Sequence, residues 1–286
     1  MIERLLPSLV DGLLIGVIYG LAAMGLTLIF GVMNVINLSH GSMIAMGMFG
    51  VYALFIGPGL NPFAGVAAVA ALGLVAGVLV YAVAVHRIRN APHLSSLLAT
   101  FSVNLILMGL GTRFLSTNFR NVDYSLGSVS LGPVTVTGTR IAACGCAALV
   151  TGLLYWFLYR TRSGKEIRAV ANDRAAAELV GIRSTRVLAL SFGLGTSLAA
   201  VAGGLIATLF PFTVLSGGTY ELKSFVIVVL GGLGNPLGAL IGGVLLGLVE
   251  GAVPLFLDAS WVPVIEFALF VLVLLVRPQG LLGARR

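Results

Sequence analysis

Acid is scarce in this sequence. Only 10 of its 286 residues are Asp or Glu, against 17 Lys and Arg, and charged residues make up 9% of the chain. A soluble domain carries about a quarter charged residues. With 58% hydrophobic residues and a mean hydropathy of +1.08, a soluble globule is excluded. Cysteine is nearly absent. Cys144 and Cys146 lie in an apolar run without a neighbouring His or acid, which excludes a disulfide framework and a zinc site. The three histidines, His40, His86 and His93, are scattered, so no His metal cluster forms by spacing. The nearest approach to a phosphate loop is Ser163-Gly164-Lys165. Glu166 follows where Ser or Thr is needed, and Tyr159 stands where the first glycine belongs. No nucleophile elbow is present. Catalysis, a cofactor and a resident metal are therefore not expected. The net charge of +7 is confined to a few loops and makes no basic face, so nucleic acid is not an expected partner and membrane lipid is.

What is present is a series of apolar runs around one charged island. Residues 160–186 hold ten charges: Arg160, Arg162, Lys165, Glu166, Arg168, Asp173, Arg174, Glu178, Arg183 and Arg186. Within it Ile167, Val170, Ala171, Leu179 and Ile182 recur at roughly helical spacing. Thr161 or Ser163 suits the start of a helix and Gly181 its end. A short amphipathic helix over about 167–182 is expected, with Val170, Ala171, Leu179 and Ile182 turned toward a partner. The alternative is a basic loop that only sets topology.

A membrane span needs about 20 apolar residues. Runs of that kind cover about 8–32, 63–85, 94–115, 141–159, 187–209 and 261–276, with shorter ones at 42–56 and 224–230. The first is too long for a cleaved signal segment and reads as a retained span. Small-residue pairs suited to close helix packing recur at Gly16-x-x-x-Gly20, Gly73-x-x-x-Gly77, Gly238-x-x-x-Gly242 and Gly243-x-x-x-Gly247. The polar stretch 116–139 alternates at 129–136, which suggests a short hairpin. Basic residues at His86, Arg87, Arg89, the island and the tail Arg285-Arg286 place those segments on one face, the cytoplasmic one. The expectation is an all-α, polytopic transmembrane helical bundle with eight or nine membrane segments, one domain over 1–286.

Two of the segments are interrupted, at 34–41 and at 231–238. Non-helical backbone at membrane depth must be buried in protein or line a wet cavity, and paired breaks in two halves of a chain point to a transport site. Asn34, Asn37, His40, Asn104 and Asn235 are accordingly candidates for a polar solute path. Glu250, an ionisable residue in an apolar run, joins them. A turn rather than a membrane-embedded break, at 34–40 or at 231–238, and a helix–helix hydrogen bond at Asn104 are the alternatives.

Three stretches resemble the permease subunits of branched-chain amino acid ABC transporters, of the LivH type. They are Gly25-Leu-Thr-Leu-Ile-Phe-Gly-Val-Met-Asn-Val-Ile-Asn-Leu-Ser-His-Gly41, Gly164-Lys-Glu-Ile-Arg-Ala-Val-Ala-Asn-Asp-Arg-Ala-Ala-Ala-Glu-Leu-Val-Gly-Ile182, and Lys223 to Gly243 with its Gly-Gly-Leu-Gly-Asn-Pro-Leu-Gly core. The tail Arg277-Pro-Gln-Gly-Leu-Leu-Gly283 also fits. The resemblance implies a multi-pass subunit of a bacterial inner membrane, paired with a second related permease, two ATP-binding subunits and a periplasmic substrate-binding protein. ATP hydrolysis would then lie in a partner. The island resembles the ATPase-coupling loop of such permeases, with Ala176, Ala177 and Gly181 in place but Ala175 where Glu is usual. Ser42 likewise stands where many relatives carry an acid. The implied solute is a branched-chain, aliphatic amino acid. The alternatives are another small solute such as urea or a short amide, or a non-transporting membrane scaffold.

Overall fold

The computed structural model describes residues 2–88, 93–131, 134–277 and 279–283. Arg89, Pro278, Arg285 and Arg286 lie outside them. Eleven α-helices form among the described residues: α1 Ile2–Met33, α2 His40–Ile56, α3 Pro62–Val80, α4 His93–Leu115, α5 Gly138–Arg160, α6 Arg162–Asn172, α7 Arg174–Leu179, α8 Ser184–Ala207, α9 Ser216–Gly231, α10 Pro236–Ala252 and α11 Val262–Val276. A hairpin of β1 Ser128–Leu131 and β2 Val134–Thr137 pairs antiparallel with Val129 opposite Val136, as the alternating residues suggested. Among the described residues seven helices are long and apolar enough to cross a membrane. The shorter α2 and α9, of 17 and 16 residues, pack among them.

Side-chain volume decides which helices reach the centre. α1 and α8 are the most enclosed, and they touch where Gly25 meets Gly195. α10 runs antiparallel along α1, with Gly251 against Ser8, Gly247 against Gly12 and Gly243 against Gly16 and Gly20. Two of the small-residue pairs read from the sequence, Gly16/Gly20 and Gly243/Gly247, thus face each other. Without a hydrophobic drive between helices in lipid, such close backbone contact supplies the packing energy. α3 crosses α8 in the same way. There Thr196 Oγ1 donates to the Gly73 carbonyl at 3.0 Å and Ser197 Oγ to the Ala70 carbonyl at 2.7 Å.

The contacts fix the direction of α1 and the place of the tail. The end of α1 lies beside Val170, Asn172 and Arg174, so α1 finishes at the face carrying the charged island. Its N-terminus therefore lies at the opposite, outer face. The tail returns to the island face, where the N–H groups of Leu281 and Leu282 donate to the carbonyls of Leu230 and Gly231.

The structure decides one alternative and corrects one expectation. The break at 231–238 is a tight turn between α9 and α10 at the island face, packed on Gly31 and the tail, with positive φ at Gly232 and Gly234. The segment that starts at membrane depth is α9 itself. It begins at Ser216, eight residues before the apolar run, because the preceding 208–215 turns back into the bundle after Phe212 pairs with Arg120. The island is also two helices rather than one. Asp173 leaves helical backbone and its carboxylate accepts from Ala176 N at 3.0 Å, starting α7.

Candidate functional site

The break after α1 turns inward. Asn34 takes a left-handed backbone conformation at φ 51°, and the chain then runs back along α1 instead of leaving it. His40, the first residue of α2, places its Nε2 3.1 Å from the Ala22 carbonyl, in the middle of α1. Non-helical backbone at that depth needs partners. Leu38 N donates to Thr100 Oγ1 of α4 at 3.2 Å, and Thr100 Oγ1 lies 3.3 Å from the Ile36 carbonyl. Asn37 Oδ1 accepts from the N–H and the hydroxyl of Ser39 at 3.1 and 2.7 Å. Ser42 Oγ donates to Asn104 Oδ1 at 2.6 Å. Asn37, Ser39, His40 and Thr100 are wholly buried, and Asn37 Nδ2 and His40 Nδ1 have no partner in the described chain.

The second half-length helix starts beside the first. Gly217 of α9 lies against the Gly41 carbonyl, and the Glu221 carboxylate accepts from the Gly41 N–H at the first turn of α2. A helix N-terminus favours a negative charge there. From that meeting point α2 runs to the outer face and α9 to the island face.

Two residues further along α9, three ionisable residues converge. Lys223 Nζ lies 2.6 Å from Glu250 Oε2 of α10 and 3.2 Å from Glu266 Oε1 of α11. Tyr19 of α1 donates to Glu250 Oε1 at 3.3 Å, and Lys223 sits 4.9 Å from the centre of its ring. The side chains of Lys223 and Glu266 are 14% and 5% exposed, so each charge depends on the others.

The six path candidates therefore occupy three places. Asn37, His40 and Asn104 share the polar cluster at the start of α2. Asn34 is exposed at the island face. Asn235 lies at that face too, where its Oδ1 caps α10 by accepting from Leu237 N and Gly238 N and its Nδ2 donates to the Leu282 carbonyl. Glu250 belongs to the ion cluster. The sequence reading missed Thr100, Glu221, Lys223 and Glu266. The last three share a readable signal, ionisable side chains of both signs in apolar helices α9 and α11, where each needs a partner.

In the island, Ile167, Val170 and Ala177 turn into the chain's own core. Val170 was expected on the outward face, and helical spacing alone does not say which side the core lies on. Ala171 and Ala176 are exposed, Ile182 is half-buried, and Leu179 and Val180 stand out at 89% and 78% exposure. Gly181 takes φ 86° with open space around it and ends α7.

The family described as "Branched-chain amino acid transport system / permease component" matches residues 8–274. The high-affinity branched-chain amino acid transport system permease protein LivH of Salmonella typhimurium is 30% identical over 97% of this chain and 95% of its own. The corresponding BraD protein of Pseudomonas aeruginosa is 31% identical over 99% and 97%. Among solved structures, PsaBC from Streptococcus pneumoniae in complex with Fab covers 98% of this chain and 97% of its own, with a TM-score of 0.50 and 15% identity, a likeness of fold.

Proposed function

This chain belongs to the permease-component family of branched-chain amino acid transport systems, and from that premise we propose that it is the membrane-spanning subunit of an ATP-driven importer for branched-chain, aliphatic amino acids. The observation that carries the reading is the meeting of α2 and α9 at mid-depth, with Asn37, His40, Thr100 and Asn104 around the break. A zwitterion cannot cross hydrocarbon bare. Side-chain amides and freed backbone groups substitute for its water only where helices are broken inside protein.

The proposal includes the partners and the place: a second related permease, two ATP-binding subunits and a periplasmic substrate-binding protein, in a bacterial inner membrane. The chain's own part is the path and the contact with the ATPase. Exposed Leu179 and Val180, together with Ala171, Ala176 and half-buried Ile182, present an apolar surface at the island face for a groove on that subunit. Solute capture belongs to the binding protein, so the path need not hold its solute tightly.

The test is reconstitution. The permease is placed in proteoliposomes with its ATP-binding subunits and binding protein, and ATP-dependent uptake of labelled leucine is measured. Isoleucine and valine should compete, and urea and short amides should not. Competition by urea alone would move the solute class, and ATP-independent retention without uptake would favour a scaffold.

A further inference from the structure

A cavity of about 370 Å³ opens at the island face between α1, α5, α6 and the start of α10. None of the path candidates except Asn235 reaches it. Its wall is apolar where Leu28, Val32, Leu158 and Ile167 line it. Its polar groups are unusual for an interior. Thr27 of α1 is completely buried and its hydroxyl has no partner, and the buried hydroxyl of Tyr155 on α5 has none either. A buried hydroxyl left unpaired is costly, so two at one cavity call for a polar guest. Arg168 of α6 supplies the charge. Its Nε donates to the Leu158 carbonyl at 3.1 Å and its guanidinium lies 4.4 Å from the centre of the Tyr159 ring, which holds the planar fork at the cavity. Among the described residues no Asp or Glu lines the space.

We propose that this cavity is a binding site for an aliphatic carboxylate or other oxyanion-headed aliphatic molecule, its head on Arg168, Thr27 and Tyr155 and its body against Leu28, Val32 and Ile167. The guanidinium suits a planar oxyanion, and the two hydroxyls donate to its remaining lone pairs. The missing acid separates such an anion from a zwitterion. An α-amino acid brings an ammonium group that finds no carboxylate here, whereas its 2-oxo acid carries the same chain and head without that burden. The site goes beyond the import reading and does not rest on it. The shared chemistry also describes an anionic lipid, whose head and acyl chain would enter from the bilayer.

The full-length chain in phosphatidylcholine nanodiscs provides the test, with labelled 4-methyl-2-oxopentanoate as the probe. Saturable binding of one molecule per chain is expected, with leucine at least tenfold weaker. Arg168→Gln should weaken binding tenfold or more, and Thr27→Val and Tyr155→Phe severalfold each. If a lipid is the occupant, nanodiscs containing phosphatidylglycerol should block the probe, and native mass spectrometry should find one such lipid retained by the wild type and lost in Arg168→Gln. Should Arg168→Gln fail to fold, the two hydroxyl variants decide, since each removes a single oxygen. The proposal is overturned if neither probe nor lipid is held, if leucine binds as tightly as its 2-oxo acid, or if the folded variants bind like the wild type.

Discussion

His40 holds the Ala22 carbonyl, eighteen residues earlier, at 3.1 Å from its Nε2. A carbonyl only accepts, so Nε2 carries the proton and Nδ1 is left bare. This bond is the depth gauge of the chain, because it places the first turn of α2 beside the middle of α1. His40→Ala removes it and opens a buried space. A loss of about 2 kcal/mol or more in unfolding free energy is expected, from the hydrogen bond and the cavity together. Thermal unfolding in detergent checks it, and stability equal to wild type would show that the bond does not hold the break in place.

Gly47 packs against the backbone of Ala200 where α2 crosses α8, and a methyl group there would overlap the Ala200 carbonyl. Gly47→Val should destabilise the bundle by roughly 1–3 kcal/mol or abolish membrane accumulation. Gly218→Ala, at a position with open space, serves as the control and should be neutral within measurement.

Lys223 balances two carboxylates. Lys223→Met leaves Glu250 and Glu266 facing each other without a cation, and a loss of about 3–5 kcal/mol is expected. Lys223→Met with Glu266→Gln should recover a large part of it. Additive losses in the double-mutant cycle would mean that the residues act independently.

Cysteine scanning tests the path in a background without Cys144 and Cys146. Asn34→Cys, exposed at the island face, should react with small water-soluble thiol reagents in the resting protein. Asn37→Cys, buried in this structure, should react only when ATP and binding protein drive the cycle. Protection of Asn37→Cys in every transport state would remove that residue from the path.

The island offers a sharper pair of substitutions. Ala177 is buried in the chain itself, so charging it would damage the permease before it touched a partner. Leu179→Glu with Val180→Asp instead alters side chains that are almost free. The double variant should keep the unfolding temperature of the wild type and lose co-purification of the ATP-binding subunit. Gly181→Val, forced to hold φ 86°, should cost about 1–2 kcal/mol locally and weaken that association less. Undiminished association in the double variant would exclude this surface from the contact.

Much of the architecture was legible because lipid demands long apolar runs and tolerates little else. The spans, the small-residue helix faces and the island all follow from that demand. α9 was read too short because Ser216, Tyr220, Glu221 and Lys223 look like loop residues, and only their burial against α1, α2 and α10 makes them helix. The turn at 231–238 and the break at 34–41 look alike in sequence, both glycine and asparagine beside apolar runs. Partners far along the chain distinguish them: Asn235 caps the helix that follows it, while Asn37 and His40 are swallowed by α1 and α4. The charges of the ion cluster are readable in the sequence, but which of them meet depends on the rotation of three helices about their axes.

The mid-depth start of α2 also sets a schedule for biogenesis. The groups that enclose Gly41 and Ile44 are Glu221, Gly217 and Gly203, all synthesised long after α2 has left the ribosome. At about 5–20 residues per second the wait is on the order of ten to thirty seconds. During it the nascent chain carries a half-length helix and bare peptide groups that acyl chains do not satisfy. The insertion machinery must therefore shelter α2 until α9 emerges. Chains stopped before residue 216 should be substrates for membrane proteases, although five apolar spans are already complete in them.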